Sequence, residues 1–292
     1  MNSSFFNEQM NHHIRPSIAQ TLMSLQARGL DRLDAQLLLL HVLGQAPSQR
    51  AWLLTHDTDE LPEAGISVIE QLAKRRLTGE PLAYLTGQKE FYGLTLQVNP
   101  HVLVPRPETE TLVQWVLDVL ASKTDEEQHV LDLGTGSGAI ALAIKAQQPA
   151  LCVHAIDSSE AALALARANA QSLALNIQFS QGSWFAGLPD TTTRFVCVVS
   201  NPPYIAEQDP HLTALTHEPL QALTSGMDGL DDIRHIIAHA PAHILPGGWL
   251  LLEHGYNQAT AVRDILQQHG FQKVQSRCDL AGIERCSGGQ YF

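Results

Sequence analysis

The stretch that most restricts this chain is Asp132-Leu-Gly-Thr-Gly-Ser-Gly138, set between an apolar run at 129–133 and a helical run that reaches Gln147. Alternate glycines let the backbone turn tightly and come close to a ligand, because a side chain at those positions would clash. A strand passing through such a loop straight into a helix belongs to a layered α/β fold. The residues beyond repeat the alternation. Strands are expected at 129–133, 152–156, 177–180, 195–199 and 249–253, with helices near 138–147, 159–172 and 231–244. Ser158 or Ser159 offers a cap for the middle helix. This order predicts a mostly parallel sheet covered on both faces. A helix near 258–269 and two closely spaced strands at 271–278 and 283–291 follow. Those last two can pair antiparallel, which a plain dinucleotide-binding fold does not need.

Upstream the texture is helical. Ser17 can cap a helix carrying Ile18, Leu22 and Leu25, with Gly29 as its stop. A second starts near Asp31, carries Leu33, Leu37, Leu40 and Val42, and stops at Gly44; Pro62 opens a third with Ile66, Ile69 and Leu72 on one face. From Glu90 the period changes to two: Phe91, Leu94, Leu96 and Val98 lead to Asn99-Pro100 as a turn, with Val102 and Val104 after it. That reads as a β-hairpin. A polar stretch, 122–128, precedes the first strand of the larger domain. The boundaries expected are a helical domain at 1–86, a hairpin linker at 87–107 and the α/β domain at 108–292.

Composition narrows the function. Eighteen Lys and Arg stand against 30 Asp and Glu, a net charge of −12, which argues against a broad phosphate-binding surface. The four cysteines, Cys152, Cys197, Cys278 and Cys286, form no CxxC pair and read as reduced thiols of a cytoplasmic protein. The N-terminal sequence has no cationic start followed by an apolar run, as a signal peptide would. The apolar run at 37–43 is too short for a bilayer, so no membrane association is expected.

The glycine spacing is GxGxG, whereas the pyrophosphate fingerprint is GxGxxG. Asp132 stands just before the loop, and a carboxylate there suits an amine-bearing or cationic ligand better than a phosphate. Asp157, nineteen residues past Gly138, can accept hydrogen bonds from both ribose hydroxyls. A nucleoside without phosphates fits both features, and S-adenosylmethionine is one. The plainer alternative is that Asp157 only caps the next helix.

The strand at 195–199 ends in Ser200-Asn201-Pro202-Pro203-Tyr204. Ligands of open α/β sheets bind beyond the carboxyl ends of the strands, so this segment should lie beside the glycine loop. Consecutive prolines stiffen it and remove two amide hydrogens. The Asn201 side-chain oxygen and the Pro202 carbonyl remain as acceptors, and Tyr204 supplies a flat face. This suits an NH₂ group on a planar π-system: each acceptor takes one hydrogen, and the ring or amide plane stacks. Holding such a nitrogen in line with a methyl sulfonium catalyses by position and electrostatics, with no covalent intermediate.

At these residues the chain resembles the bacterial release-factor glutamine methyltransferases. The resemblance covers nearly its whole length and rests on Pro81-Leu-Ala-Tyr-Leu-Thr-Gly87, Phe91-Tyr-Gly93, Val104-Pro-Arg-Pro-Glu-Thr-Glu110, Asp132 to Gly138, Asn201 to Tyr204 and Asp228-Gly-Leu230. It implies a class I S-adenosylmethionine-dependent methyltransferase (Rossmann-like) α/β domain, with a small helical bundle that docks the substrate. The implied reaction is methylation of the glutamine side-chain amide in the Gly-Gly-Gln motif of peptide chain release factors, modulating translation termination. S-adenosyl-L-methionine would be held by Gly134, Thr135, Gly136, Ser137, Gly138, Asp157, Trp184 and Asn201. Asn201, Pro202 and Tyr204 would be catalytic, and Asn201, Pro202, Pro203 and Tyr204 would hold the substrate. Trp184 could equally be a core tryptophan. Arg106 and Glu108 could close over the cofactor or pair with each other.

The alternatives are a ribosomal-protein glutamine methyltransferase, to which the Pro-Arg-Pro-Glu-Thr-Glu segment is less suited, and a nucleic-acid adenine or cytosine amino-methyltransferase. The latter shares the Asn-Pro-Pro-Tyr chemistry but needs a basic surface, so no direct nucleic-acid binding is expected. A non-catalytic partner-binding module with a vestigial cofactor fold is disfavoured by Asp157 and the complete Asn201–Tyr204 segment. His235, His239 and His243 recur every four residues, but Pro241 interrupts the helix, and a solvated face is expected instead of a metal site. The tail contains Gly288-Gly289-Gln290, the tripeptide that such enzymes modify, in what should be a strand.

Overall fold

The computed structural model describes residues 15–121 and 128–292, which fall into two compact units, Met1–Thr86 and Gly87–Phe292. Most of the polar stretch before the first large-domain strand lies outside the described residues.

The first unit is helical: α1 (Ile18–Ala27), α2 (Arg32–Val42), α3 (Trp52–Thr55), α4 (Glu63–Leu77) and α5 (Leu82–Thr86). Ser17 and Gln20 form a capping box, in which the Gln20 amide donates to Ser17 Oγ at 3.2 Å and the Ser17 amide donates to Gln20 Oε1 at 2.9 Å. Asp31 caps α2 by accepting from the Leu33 amide at 2.8 Å. The buried face of α2 differs from the expected one: Leu38, Leu39 and Leu40 are buried, while Leu33 is 44% exposed. With apolar residues at 37, 38, 39 and 40 in a row, spacing alone does not say which way that face points.

The second unit opens on a hairpin, β1 (Gln88–Phe91) and β2 (Leu94–Gln97). Its turn is Tyr92-Gly93, both at positive φ (50° and 79°), as a two-residue hairpin loop requires. The expected turn at Asn99-Pro100 is real, since the His101 amide donates to Asn99 Oδ1 at 3.0 Å, but no strand follows it. Residues 101–106 instead run irregularly into a 3₁₀ turn, Pro107–Thr109, and then α6 (Glu110–Leu120). The helix α6 has no counterpart among the expected elements, although Leu112, Val113, Val116 and Leu120 are fully or nearly fully buried at helical spacing.

Next come β3 (His129–Leu133), α7 (Ala139–Gln147), β4 (Cys152–Asp157), α8 (Glu160–Ser172), β5 (Gln178–Gln181), β6 (Phe195–Ser200), α9 (Asp231–His239), β7 (Ile244–Glu253), α10 (Ala259–Gln268), β8 (Gln272–Cys278) and β9 (Glu284–Tyr291). The seven large-domain strands form one sheet in the order β5-β4-β3-β6-β7-β9-β8. β3 to β7 are parallel, and β9 runs antiparallel between β7 and β8. Two cores flank the sheet. One packs α6 and α7 against Val130, Val153 and Val199; the other packs α9 and α10 against Leu131, Val198 and Leu250. Neighbouring strand residues thus go to opposite faces; the register slips between Phe195 and Cys197 in the β6–β7 pair, and between Gln272 and Gln275 and between Arg277 and Cys278 in the β8–β9 pair.

The strand order reverses between β3 and β6, so the connections leaving their carboxyl ends diverge and open a crevice there. Ser200 Oγ donates to the Leu133 carbonyl at 2.7 Å, fixing the ends of the two strands level.

The Gly288-Gly289-Gln290 tripeptide lies inside β9. A Cβ on Gly288 would sit 2.5 Å from Leu251 Cδ2, and Gln290 Nε2 donates to the Gly247 carbonyl at 2.7 Å. Close packing accounts for the glycine and a local hydrogen bond engages the glutamine, which leaves the tripeptide unsuited to act as its own substrate. His235 and His239 are exposed with rings 4.2 Å apart, whereas His243 stacks on Phe185 at 4.5 Å. No helix among the described residues is long and apolar enough to cross a membrane.

Candidate active site

The crevice is a cleft of about 260 Å³ within the second unit. On one side the β3–α7 connection contributes Gly134, Thr135, Gly136 and Ser137, with Asp157 from the end of β4 beside them. Opposite lie Asn201 and Pro203 from the end of β6, and His101 to Leu103, Pro105 and Arg106 with Thr109 form a further wall.

The glycine loop is held by local hydrogen bonding. The Gly134 and Thr135 amides both donate to the Ile156 carbonyl, at 2.9 and 3.0 Å, and the Gly136 amide donates to Asp157 Oδ2 at 2.8 Å. Gly134 has φ +70°, and a Cβ there would lie 3.3 Å from Trp184 Cζ3, so the indole rests against the loop. Trp184 lines the cleft and donates its Nε1–H to Asp232 Oδ1 at 3.2 Å. Asp232 in turn accepts from Ser225 Oγ at 2.7 Å. Gly138 is off the cleft wall: a Cβ there would meet Leu142 Cδ1 at 2.9 Å and Ala166 Cβ at 3.3 Å, so its part is to let α7 and α8 approach.

The two acids differ. Asp132 is wholly buried and does not line the cleft; Oδ2 accepts from Thr135 Oγ1 at 2.6 Å and from the Ala141 amide at 3.2 Å, while Oδ1 has no partner. Burial pushes its carboxyl up to about 7 against the pull of those hydrogen bonds. Asp132 therefore braces the loop from behind, contrary to the expectation that it faces an amine-bearing ligand. Asp157 does line the cleft, and burial raises it too, opposed by amides of Ser159, Gly136 and Ser158. Ser159 is the cap of α8, its Oγ accepting from Ala162 at 3.2 Å, so Asp157 is not needed for that purpose.

Asn201 reaches the cleft with its Nδ2 donating to Thr109 Oγ1 at 3.3 Å. Pro202 is buried behind it, and Tyr204 lies off the wall with its hydroxyl donating to Glu253 Oε1 at 3.4 Å. The main chain of Tyr204 is pinned: its carbonyl accepts from Gln258 Nε2 at 3.0 Å, and a Cβ on Gly229 would come within 2.2 Å of that carbonyl oxygen. The Asp228-Gly-Leu230 segment thus supports the tetrapeptide by close approach. Arg106 does not pair with Glu108; it makes an ion pair with the buried Glu218, whose Oε2 also accepts from the Val104 amide at 3.1 Å.

Sequence reading missed Thr109, Asp232, Glu253 and Asn169. Asn169 is fully buried, accepts from the Gln97 amide at 2.7 Å, and donates to the carbonyls of Gln97 and Ser137 at 3.0 and 2.9 Å. It ties the hairpin to the glycine loop, although it stands 72 residues from Gln97 in sequence. A polar residue on the apolar face of a helical run, among Leu163, Ala166 and Ala170, was the signal available.

The lining suits a nucleoside lacking phosphates. Arg106 is committed to Glu218, and Asp157 and Asp232 add negative charge where a sulfonium gains and a phosphate loses. The sheet order and the two facing connections define a class I methyltransferase fold. A model for "Methyltransferase small domain" matches residues 111–282, and one for "PrmC N-terminal domain" matches residues 18–87. A solved methyltransferase from Pyrococcus furiosus shares the fold, with TM-score 0.51 and 17% identity, over 76% of this chain and 98% of that one.

At higher similarity, a release factor glutamine methyltransferase of Vibrio cholerae is 47% identical over 97% of this chain and 98% of its own length. One from Bordetella pertussis is 49% identical over 89% of this chain and 95% of its own. The chain belongs to the release factor glutamine methyltransferase family.

Proposed function

We propose that this protein transfers a methyl group from S-adenosylmethionine to the side-chain amide nitrogen of a glutamine in a peptide chain release factor, in the cytoplasm. The observation that carries this reading is the meeting of Asn201 and Pro203 with the Gly134–Ser137 loop in one cleft, at the switch point of the sheet. The names of the relatives supply the substrate class.

In this reading Gly134 to Ser137 would hold the donor, Asp157 would accept from its ribose hydroxyls, and Trp184 would contact its base. When bound it supplies an electrophilic methyl. The Asn201 side-chain oxygen and the Pro202 carbonyl accept the two N–H hydrogens of the glutamine amide. Those bonds orient a poorly nucleophilic nitrogen and draw negative charge onto it. Asn201 and the Pro202 carbonyl would hold the nitrogen toward that methyl, and the proton the amide gives up on methylation would pass to solvent. Pro203 and Tyr204 stiffen the platform. The helical unit serves to dock the folded substrate.

The test is a transfer assay with labelled donor and three acceptors: a purified release factor, its glutamine-to-alanine loop variant, and duplex DNA. Label on the unaltered release factor alone is the expected result. Label on DNA would keep the chemistry and overturn the substrate.

A further inference from the structure

The indole on the cleft wall stands on backbone that tryptophan seldom adopts. Trp184 has φ +50°, in the left-handed region where a bulky residue persists only if its surroundings hold it there. The loop around it closes tightly, since a Cβ on Gly182 would come 2.3 Å from Gly187 Cα. That closure fixes the main chain. The side chain has two holds of its own: its six-membered ring lies against Gly134, and its Nε1–H donates to Asp232 Oδ1 at 3.2 Å.

Asp232, the second residue of α9, lines the same cleft and is itself held. Ser225 Oγ donates to Asp232 Oδ2 at 2.7 Å and accepts from the Asp232 amide at 2.8 Å, so the two residues exchange a pair of hydrogen bonds. Ser225 is buried, and its amide donates to the Ile205 carbonyl at 3.0 Å. The Leu223 carbonyl, two residues earlier, accepts from the amides of Tyr204 and Ile205 at 3.2 and 2.8 Å. The carboxylate thus joins an indole on the glycine-loop side to the chain that continues directly from Asn201–Tyr204.

An indole has one hydrogen-bond donor, and a carboxylate only accepts. A fixed carboxylate at the Nε1 edge therefore leaves the ring one orientation. A ring left free to rotate has to be ordered each time a flat ligand binds, which costs affinity.

We propose that Asp232 is a positioning residue for the donor's adenine, acting by setting the plane of the Trp184 indole. The inference rests on the reading above that Trp184 contacts the base. It concerns the geometry of the carboxylate, a matter separate from the charge it adds to the cleft.

The experiment uses the full chain and its Asp232→Ala, Asp232→Asn, Trp184→Phe and Trp184→Ala variants. Binding of S-adenosylmethionine and of S-adenosylhomocysteine, which has the same base and no sulfonium charge, is measured by calorimetry. Asp232→Ala should weaken S-adenosylhomocysteine by about 10-fold, the scale of one lost hydrogen bond to a charged group. Asp232→Asn keeps an oxygen for the indole and should restore most of that affinity. With an intact release factor, Asp232→Ala should raise the donor KM while kcat at saturating donor stays within about twofold, as loss of uniform binding does. The indole is also followed directly, with no donor present. Trp52, Trp115 and Trp249 emit too, so the signal of Trp184 is taken as the difference between each protein and its Trp184→Phe counterpart. Acrylamide should quench that signal more readily in Asp232→Ala and to the wild-type extent in Asp232→Asn.

An Asp232→Ala variant with wild-type affinity for S-adenosylhomocysteine, a loss confined to the sulfonium, or an Asp232→Asn variant as weak as alanine would each overturn the proposal. Should Asp232→Ala fail to fold, Trp184→Phe decides, since it keeps a flat ring and loses the N–H: undiminished S-adenosylhomocysteine binding there overturns the proposal. Trp184→Ala separates the two levels of the argument. Donor binding as tight as wild type in that variant overturns the placing of the indole at the base, and this inference with it. A weakened Trp184→Ala beside an undiminished Asp232→Ala overturns the inference alone.

Discussion

Single residues here divide into those that touch the cleft and those that hold them. Asn201 belongs to the first group, with Thr109 beside it on the wall. Asn201→Ala should abolish measurable methyl transfer while leaving the unfolding midpoint near wild type, because the side chain is only partly buried. A radiolabel assay paired with circular dichroism checks both halves. Asn201 was legible in the sequence because its neighbours in the chain are its neighbours in the site. Gly134, Gly136 and Asp157 were legible for the same reason, since the loop bonds to the strand beside it. Thr109, Glu253 and Asp232 were not. Each acts through a partner far along the chain, as Thr109 does with Asn201 at a separation of 92 residues. No local spacing encodes such a contact.

Among the elements, the alternation of strands and helices after residue 128 was readable because each strand is short, apolar and bounded by turn residues. The helix α6 was passed over for a related reason: it follows Pro105 and Pro107, which mark irregular backbone, and so reads as an extension of the linker. The expected second strand after Asn99 does not form; His101 to Leu103, Pro105 and Arg106 run irregularly along the cleft wall instead. β9 is closely packed at its glycines. Gly288→Ala would place a Cβ 2.5 Å from Leu251 Cδ2 and 2.6 Å from the Leu250 carbonyl oxygen. Such overpacking should cost about 1–3 kcal/mol. Urea unfolding of the variant should show the lower midpoint with an unchanged slope.

For the molecule as a whole, two buried carboxylates set a direction for pH. Asp132 is raised from 3.8 to about 7 and Glu253 from 4.5 to about 7, burial being the main cause in each case. An acid whose folded value lies above its unfolded one contributes stability that is complete below the unfolded value and lost as pH rises through the folded value. The unfolding midpoint should therefore fall between mildly acidic and mildly alkaline pH, and Asp132→Asn should make that fall shallower. Scanning both proteins by calorimetry across this window is the check. A net charge of −12 adds its own self-repulsion, which the difference between the two proteins removes. Substrate choice also belongs to this scale. If the helical unit docks a folded release factor, an intact factor should be methylated far more efficiently than a short Gly-Gly-Gln peptide, and equal kcat/KM for the two would show that docking contributes nothing.

The position of β9 also bears on how the chain must be made. β8 leaves the ribosome before β9, yet it reaches the sheet only through β9, which lies between it and β7. Until residues 284–291 emerge, β7 presents a bare row of amides and carbonyls, and β8 has no strand beside it. Order of synthesis and order in space are thus opposed at this edge. A nascent chain stalled just short of β9 would be prone to pair with another copy of itself.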